Sequence, residues 1–348
     1  MKRSITRREF IRETLAGAGL AVAITMTPLG ARILSAKELA SGEFAPGAWL
    51  KITPDELVTV YVAKSEMGQG ISTSLPMLVA EELEADWKNV RFVFAPAADQ
   101  YKDPVWGMQA TGGSTSIRHL YEPLRLAGAA ARELLIAAAA REWKVSAGEC
   151  LAVNGIVRHG TTMKSITYGQ LAGLAADLSP PAKPKLKSPR DFRFIGKDLP
   201  RLDVLDKVNG TAVFGIDVTI PGMLHAAIAH PPAFGARPTG YDEAAAGKVK
   251  GVKKVVAIDS GVAVCASSTA AARKGLAALQ VRWDTGSSPQ LTDESLRRQF
   301  RDALGEMGLV ARNDGDVGTA LAAAKTRLSA TFELPFLAHV TMEPMNCT

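Results

Sequence analysis

Cysteine is scarce and scattered. Cys150, Cys265 and Cys347 are the only three in 348 residues and share no paired spacing. That pattern excludes a cysteine-clamped zinc or iron–sulfur site in this chain and argues against a disulfide framework. No run of eighteen apolar residues occurs, so no segment reads as a membrane span. A P-loop is missing, and so is a Gly-x-Ser-x-Gly elbow. Ser114, in Gly112-Gly113-Ser114-Thr115-Ser116, is therefore a weak candidate for a hydrolase nucleophile. The body of the chain also lacks excess charge. Of the net +6, residues 1–37 carry +5 and the remainder only +1. A body so close to neutral has no reason to track a nucleic-acid backbone, and no nucleic-acid partner is expected.

What is present begins with an address. Thr6-Arg7-Arg8-Glu9-Phe10-Ile11-Arg12 is a twin-arginine pattern, followed by a moderately apolar stretch at 15–26 and then Pro28. Residues 1–40 read as a twin-arginine export signal, the alternative being an amphipathic N-terminal helix on the core. The expected location is periplasmic. Membrane contact is expected only through this segment if it is not cleaved.

Two glycine-rich loops follow. Ser65-Glu66-Met67-Gly68-Gln69-Gly70-Ile71-Ser72-Thr73 lies between a strand-like run at 57–63 and a helical pattern at 74–87. Such a turn aims backbone N–H groups and a helix N-terminus at one point suited to an anion. The third glycine of a dinucleotide fingerprint is replaced by Thr73, so spacing alone leaves a structural turn and a ligand loop both open. Gln109 to Arg118 repeats the logic ahead of an alanine-rich helix at 121–143: Gly112, Gly113, Ser114, Thr115 and Ser116 converge there, and Arg118 adds positive charge. That combination suits phosphate or pyrophosphate. Two such loops within one short stretch favour the ligand reading over a pair of structural turns.

The other elements are ordinary. A hairpin is expected at 49–63, a strand at 90–94, and a second hairpin around Asn154-Gly155. A short helix at 165–178 is capped by Ser165 or Thr167, and the Pro/Lys-rich stretch 179–200 reads as a linker. Beyond it, strands at 213–218, 223–229, 255–258, 262–266 and 280–283 with a helix at 268–279 indicate a compact α/β domain. His225 and His230 have no carboxylate at metal-ligand spacing and read as packing or surface residues. A polar helix from Leu291, a helix at 317–325 capped by Asp316, and a strand at 328–334 complete the pattern.

Together these pieces resemble the large subunits of molybdenum hydroxylases, the xanthine dehydrogenase/aldehyde oxidase family, and within it the isoquinoline 1-oxidoreductase beta-subunit branch. The residues that carry the likeness are the twin-arginine leader, Glu66-Met67-Gly68-Gln69-Gly70, Gln109 to Arg118, Arg201-x-Asp203 with Lys207-x-x-Gly210 and the following apolar run, and His339 to Thr348. The resemblance implies an α+β or α/β fold in which cofactor-binding segments flank a smaller hammerhead domain. The segments would be 41–178, then the linker 179–200, the hammerhead-like 201–285, and 286–348 as the truncated start of the main cofactor domain.

It also implies a molybdenum–pyranopterin cofactor, commonly the cytosine dinucleotide form. Gly68, Gln69 and Gly70 would lie at its molybdenum end, and Gly112, Gly113, Ser114, Thr115 and Ser116 at its pyrophosphate or pterin edge. No protein ligand to the metal is expected. The reaction implied is oxidative hydroxylation of an N-heteroaromatic or aldehyde, with water as oxygen source. Electrons would leave through [2Fe–2S] centres on a separate small subunit. The family's general base is a glutamate in a Gly-x-Gly-Glu-like loop near the C-terminus. None of the 348 residues forms that loop, so no catalytic residue is assigned and the base is expected beyond Thr348. Glu66 is not at the base's position. The competing reading is a non-catalytic periplasmic binding or assembly protein that kept the fold.

Overall fold

The computed structural model describes residues 19–27, 30–34, 48–233, 235–259, 261–286, 291–337, 340, 342 and 345–348. They form two compact units, divided between Ala212 and Val213.

Unit 1 is built on a five-stranded sheet. Its strands are β1 (Leu20–Thr27), β2 (Gly30–Leu34), β3 (Ala48–Ile52), β4 (Val58–Val62) and β5 (Val90–Phe94), in the order β2-β1-β3-β4-β5. The expected hairpin is there, with Leu50 opposite Val60 and Ile52 opposite Val58. β4 and β5 run parallel, and the crossover between them contains helix α1 (Ile71–Leu83). Val58, Val60 and Val62 are buried while the residues between them are half-buried, the period-two pattern of a strand with one face on the core. The apolar stretch expected within the export signal is partly in this sheet, as β1. The twin-arginine residues themselves lie outside the described residues.

Helix α2 (Thr115–Trp143) packs along α1. Its alanines suit close approach: Ala127, Ala130 and Ala131 are buried, and the backbone at Gly128 passes directly over Val79. A second sheet, β6 (Cys150–Val153), β7 (Ile156–His159) and β8 (Ser165–Thr167), leads into α3 (Tyr168–Ala176). Thr167 caps α3 in a capping box with Gln170, so the residues at 165–167 expected in that helix are instead a strand entering it.

The stretch 179–200, a linker by composition, is anchored along unit 1. Glu81 and Glu82 of α1 are fully buried carboxylates. Glu81 accepts hydrogen bonds from the amides of Arg193, Phe194 and Ile195 and from the Lys187 ammonium. The Glu82 carboxylate takes the Lys187 amide and the Arg125 guanidinium, and its backbone carbonyl takes Arg132. Proline and lysine content says nothing about such anchors, because the acceptors lie about a hundred residues upstream. Helix α4 (Val204–Val208) ends the unit.

Unit 2 has a three-stranded antiparallel sheet of β9 (His225–Ala229), β11 (Val252–Ile258) and β12 (Gly261–Ala266), with β12 in the centre. The short pair β10 (Arg237–Gly240) and β13 (Arg282–Asp284) forms a separate ribbon. Helices α5 (Glu243–Gly247) and α6 (Thr269–Leu279) cover a small core of Ala246, Val255, Val262, Val264 and Leu279. His225 bonds to Thr269 through Nδ1, a packing contact.

Two expected strands are absent. Residues 213–218 contain a single 3-10 turn (Gly215–Asp217), and 328–334 has no regular structure. Leu328 is 95% exposed and Leu334 is 90% exposed, so apolar alternation there has neither a core nor a neighbouring strand to satisfy its backbone. Helices α7 (Asp293–Ala303) and α8 (Val317–Ala323) form as expected, α8 with Asp316 as its cap. Ala338, His339, Thr341, Glu343 and Pro344, within the stretch that resembles the start of a further cofactor domain, lie outside the described residues. No described helix is long and apolar enough to cross a membrane.

Candidate functional site

The first glycine loop has already been given an anion, and it is the chain's own. Glu66 turns its carboxylate back into the loop. Oε1 accepts from the Gly68 amide at 2.8 Å and the Gly70 amide at 2.9 Å, and Oε2 from the Ser72 amide at 3.0 Å and the Ser72 hydroxyl at 2.8 Å. Gly68 and Gly70 hold φ of 96° and 88°, the left-handed region open to glycine at little cost, which aims both amides inward. Burial acts to raise the Glu66 pKa, but the amides of Gly70, Ser72 and Gly68 and the Ser72 hydroxyl outweigh it and hold it below the ordinary value. Glu66 thereby caps α1, whose own N-cap residue, Gly70, has no side chain to do so.

The expectation of free amides at Gly68 and Gly70 is therefore corrected: both are bound to Glu66. The Gln69 side chain is also engaged with its own loop, accepting from the Met67 amide at 2.5 Å and donating to the Ser65 carbonyl at 2.9 Å. Arg201 closes the loop from outside. It donates to the Gly68 carbonyl at 3.2 Å, lies 3.5 Å from Glu66, and is held by Asp203. The Leu202 amide bonds to the Thr73 hydroxyl.

The second loop differs. Ser114, the N-cap of α2, has φ 54° and makes no side-chain cap bond, so this helix N-terminus is not closed by its own cap residue. Gly113 is also left-handed, at φ 57°, and a Cβ there would stand 3.3 Å from the Trp106 ring. Thr115 turns inward: its hydroxyl donates to the Gly112 carbonyl at 2.8 Å and its side chain is buried. Gly113 and Ser114 are exposed, and Gly112 and Ser116 are half-buried. A 29-residue helix with this end presents backbone donors and positive dipole to an anion. The second loop fits a phosphate group. The first has its Gly68 and Gly70 amides bonded to Glu66 and both ends of the Gln69 amide bonded within the loop, so it offers no seat to a second anion.

The two loops meet. The Ser65 amide donates to the Thr111 hydroxyl at 2.8 Å, and Lys64 donates to the Ala110 carbonyl at 2.8 Å. Behind the junction Lys64 pairs with Asp103 at 2.6 Å, and Asp103 takes His119 Nδ1 at 2.9 Å. Lys64, Asp103, Trp106 and His119 carry no motif and were missed by sequence reasoning. One signal was legible: a lysine directly after the buried strand end Val62-Ala63, a place where an ammonium needs a partner. No group of three or more His, Cys, Asp or Glu that could hold a metal occurs among the described residues.

Residues 2–218 match the family model of the molybdopterin cofactor-binding domain. The curated relatives include the beta chain of an isoquinoline 1-oxidoreductase from Brevundimonas diminuta, 35% identical over 72% of this chain and 36% of the relative. They also include a membrane-bound aldehyde dehydrogenase, named for pyrroloquinoline quinone, of Gluconacetobacter polyoxogenes, 32% identical over 99% of this chain and 46% of the relative. A third is a nicotinate dehydrogenase subunit of Pseudomonas putida, 28% identical over 85% of this chain and 25% of the relative. The chain thus spans less than half the length of these relatives. With the matched region containing both glycine loops and the junction between them, the chain belongs to the molybdopterin cofactor-binding domain family.

Proposed function

We propose that this chain is part of the catalytic large subunit of a molybdenum hydroxylase that oxidises an N-heteroaromatic or an aldehyde, with water as oxygen source. Electrons would pass to [2Fe–2S] centres on a separate small subunit, as the resemblance implies; the three scattered cysteines of these 348 residues do not clamp such a cluster. The observation that carries the reading is the junction of two glycine loops, each opening a helix and hydrogen-bonded to the other through Ser65 and Thr111. The bound cofactor supplies two-electron redox chemistry. The chain's residues position it. The Gly112–Ser116 backbone and the Ser114 and Ser116 hydroxyls hold the pyrophosphate of a dinucleotide form, the cytosine form being the one the resemblance favours. Gly68, Gln69 and Gly70 would lie at the pterin and metal end, where the Gln69 amide would exchange its bonds to Met67 and Ser65 for the cofactor. Glu66 is no general base here, because four hydrogen bonds engage both its oxygens.

The test is molybdenum and pterin analysis of the purified complex. A wild-type complex with about one molybdenum per large subunit is expected; one lacking both metal and pterin overturns the reading. In the same assay Gly113→Val should lose most of the bound pterin. A branched side chain is strained at φ 57° and its Cβ meets the Trp106 ring. Wild-type pterin content in that variant would remove the second loop from the site.

We also propose export to the periplasm in folded form through the twin-arginine leader. Changing Arg7 and Arg8 together to lysine is expected to leave the protein in the cytoplasmic fraction, with its fold intact by melting. Undiminished periplasmic protein would overturn this.

A further inference from the structure

Asp103 is the point at which three separate stretches of unit 1 are tied together. Its side chain is fully buried and accepts from Lys64 Nζ at 2.6 Å, from His119 Nδ1 at 2.9 Å to each oxygen, and from the amides of Val105 and Trp106 at 3.0 and 3.1 Å. Each donor belongs to a piece of the site. Lys64, only 1% exposed, immediately precedes the first loop and also reaches the Ala110 carbonyl at the start of the second. His119 lies on the second turn of α2, just past the second loop. Val105 and Trp106 belong to the excursion that brings the indole against Gly113, and Asp103 closes that excursion through backbone bonds with Gly107 and Met108. Trp106 packs edge-on to His119 at 5.9 Å and under the Lys64 ammonium at 5.2 Å.

We propose that Asp103 is a positioning residue: its carboxylate, acting through Lys64 and His119, sets the spacing between the two glycine loops. A buried lysine–aspartate pair is by itself weak evidence of function, because such pairs return little net stability over an apolar replacement. This one differs because the aspartate holds four donors from three chain segments, and every segment borders a loop. The functional consequence rests on the reading of those loops as one cofactor seat.

Two variants of the full chain separate positioning from simple stability. Asp103→Asn leaves Lys64 as an unpaired buried charge, so it is expected to loosen the fold as well as the loops. The double variant Lys64→Met with Asp103→Asn removes that charge, and amide exchange in β4 should return close to the wild-type rate. In both variants, measured without cofactor, exchange at 65–72 and 111–116 should run about tenfold or more faster than in the wild type. Molybdenum and pterin bound per large subunit in the purified complex should fall by about the same factor.

Wild-type exchange at both loops in the double variant overturns the proposal, as does acceleration spread evenly over the sheet. Should Asp103→Asn fail to fold, His119→Gln removes only the part-exposed limb. It is expected to speed exchange at 111–116 alone and to change Trp106 emission, taken as the difference from Trp106→Phe; no change in either overturns the proposal. A wild-type complex that carries no molybdenum would sink the cofactor reading, while the loop exchange rates would still decide the role of Asp103.

Discussion

Glu81→Ala is expected to destabilise unit 1 by about 3–5 kcal/mol, the cost of leaving buried partners of a charged group unpaired. The carboxylate is fully buried on α1 and is the common acceptor for the Lys187 ammonium and the amides of Arg193, Phe194 and Ile195. Removing it strands the three amides at once and frees 193–195 from this anchor, while Lys187 keeps Glu84 and, through its amide, Glu82. Limited proteolysis should then cut within 179–200 in the variant and not in the wild type. Thermal melting should show a fall of several degrees per kcal/mol lost, on the order of 2–4 °C each.

The same carboxylate predicts an acid limb. Burial acts to raise its pKa, but Lys187 and the three amides outweigh this and hold it below the ordinary 4.5. A group whose folded pKa is depressed contributes its stability fully above the unfolded value and loses it as pH falls through the folded value. Wild-type stability should therefore drop on acidification below about pH 4.5, and part of that slope should be missing in Glu81→Ala. Equal slopes, with no new cleavage, would mean the strap is held by something else.

The strap shows where sequence legibility stops. The period-two burial of Val58, Val60 and Val62 and the Asn154-Gly155 hairpin are local patterns, and the structure bears both out. So was the position of both glycine loops ahead of helices. What those loops do with their amides was not readable. An anion suits the Gly68–Gly70 turn, yet nothing in the spacing says that Glu66, two residues earlier, is that anion. Partners far apart in the chain were equally invisible: Glu81 with Lys187, and Lys64 with Asp103. Residues 328–334 failed in the opposite direction. Their apolar character is that of a strand, but a strand needs a neighbour, and among the described residues of unit 2 none pairs with them.

Gly128→Ala sets two effects against each other, and the sign follows from geometry. Alanine is favoured over glycine inside a helix by about 1 kcal/mol. At Gly128, however, the new Cβ would stand 2.4 Å from the Val79 carbonyl oxygen and 3.0 Å from the Glu82 Cβ. The first of these is backbone of α1 and cannot rotate away, so the two helices must separate. Overpacking of a close-packed interior costs typically 1–3 kcal/mol, and more where backbone has to move. The clash wins: Gly128→Ala is expected to lose about 2 kcal/mol or more, and Gly128→Val considerably more. Gly247→Ala is the matched control, since a Cβ there meets nothing within 4 Å and should leave stability unchanged or slightly raised.

The consequence reaches the site, because the two helices that Gly128 lets approach are the two that begin at the glycine loops. Pushing α2 off α1 strains the bonds from Ser65 to Thr111 and from Lys64 to Ala110. Denaturant midpoints and bound pterin should therefore fall together in Gly128→Ala. A variant that melts early yet keeps full pterin would show that the loops hold their spacing independently of the helix contact, through their own bonds and Asp103.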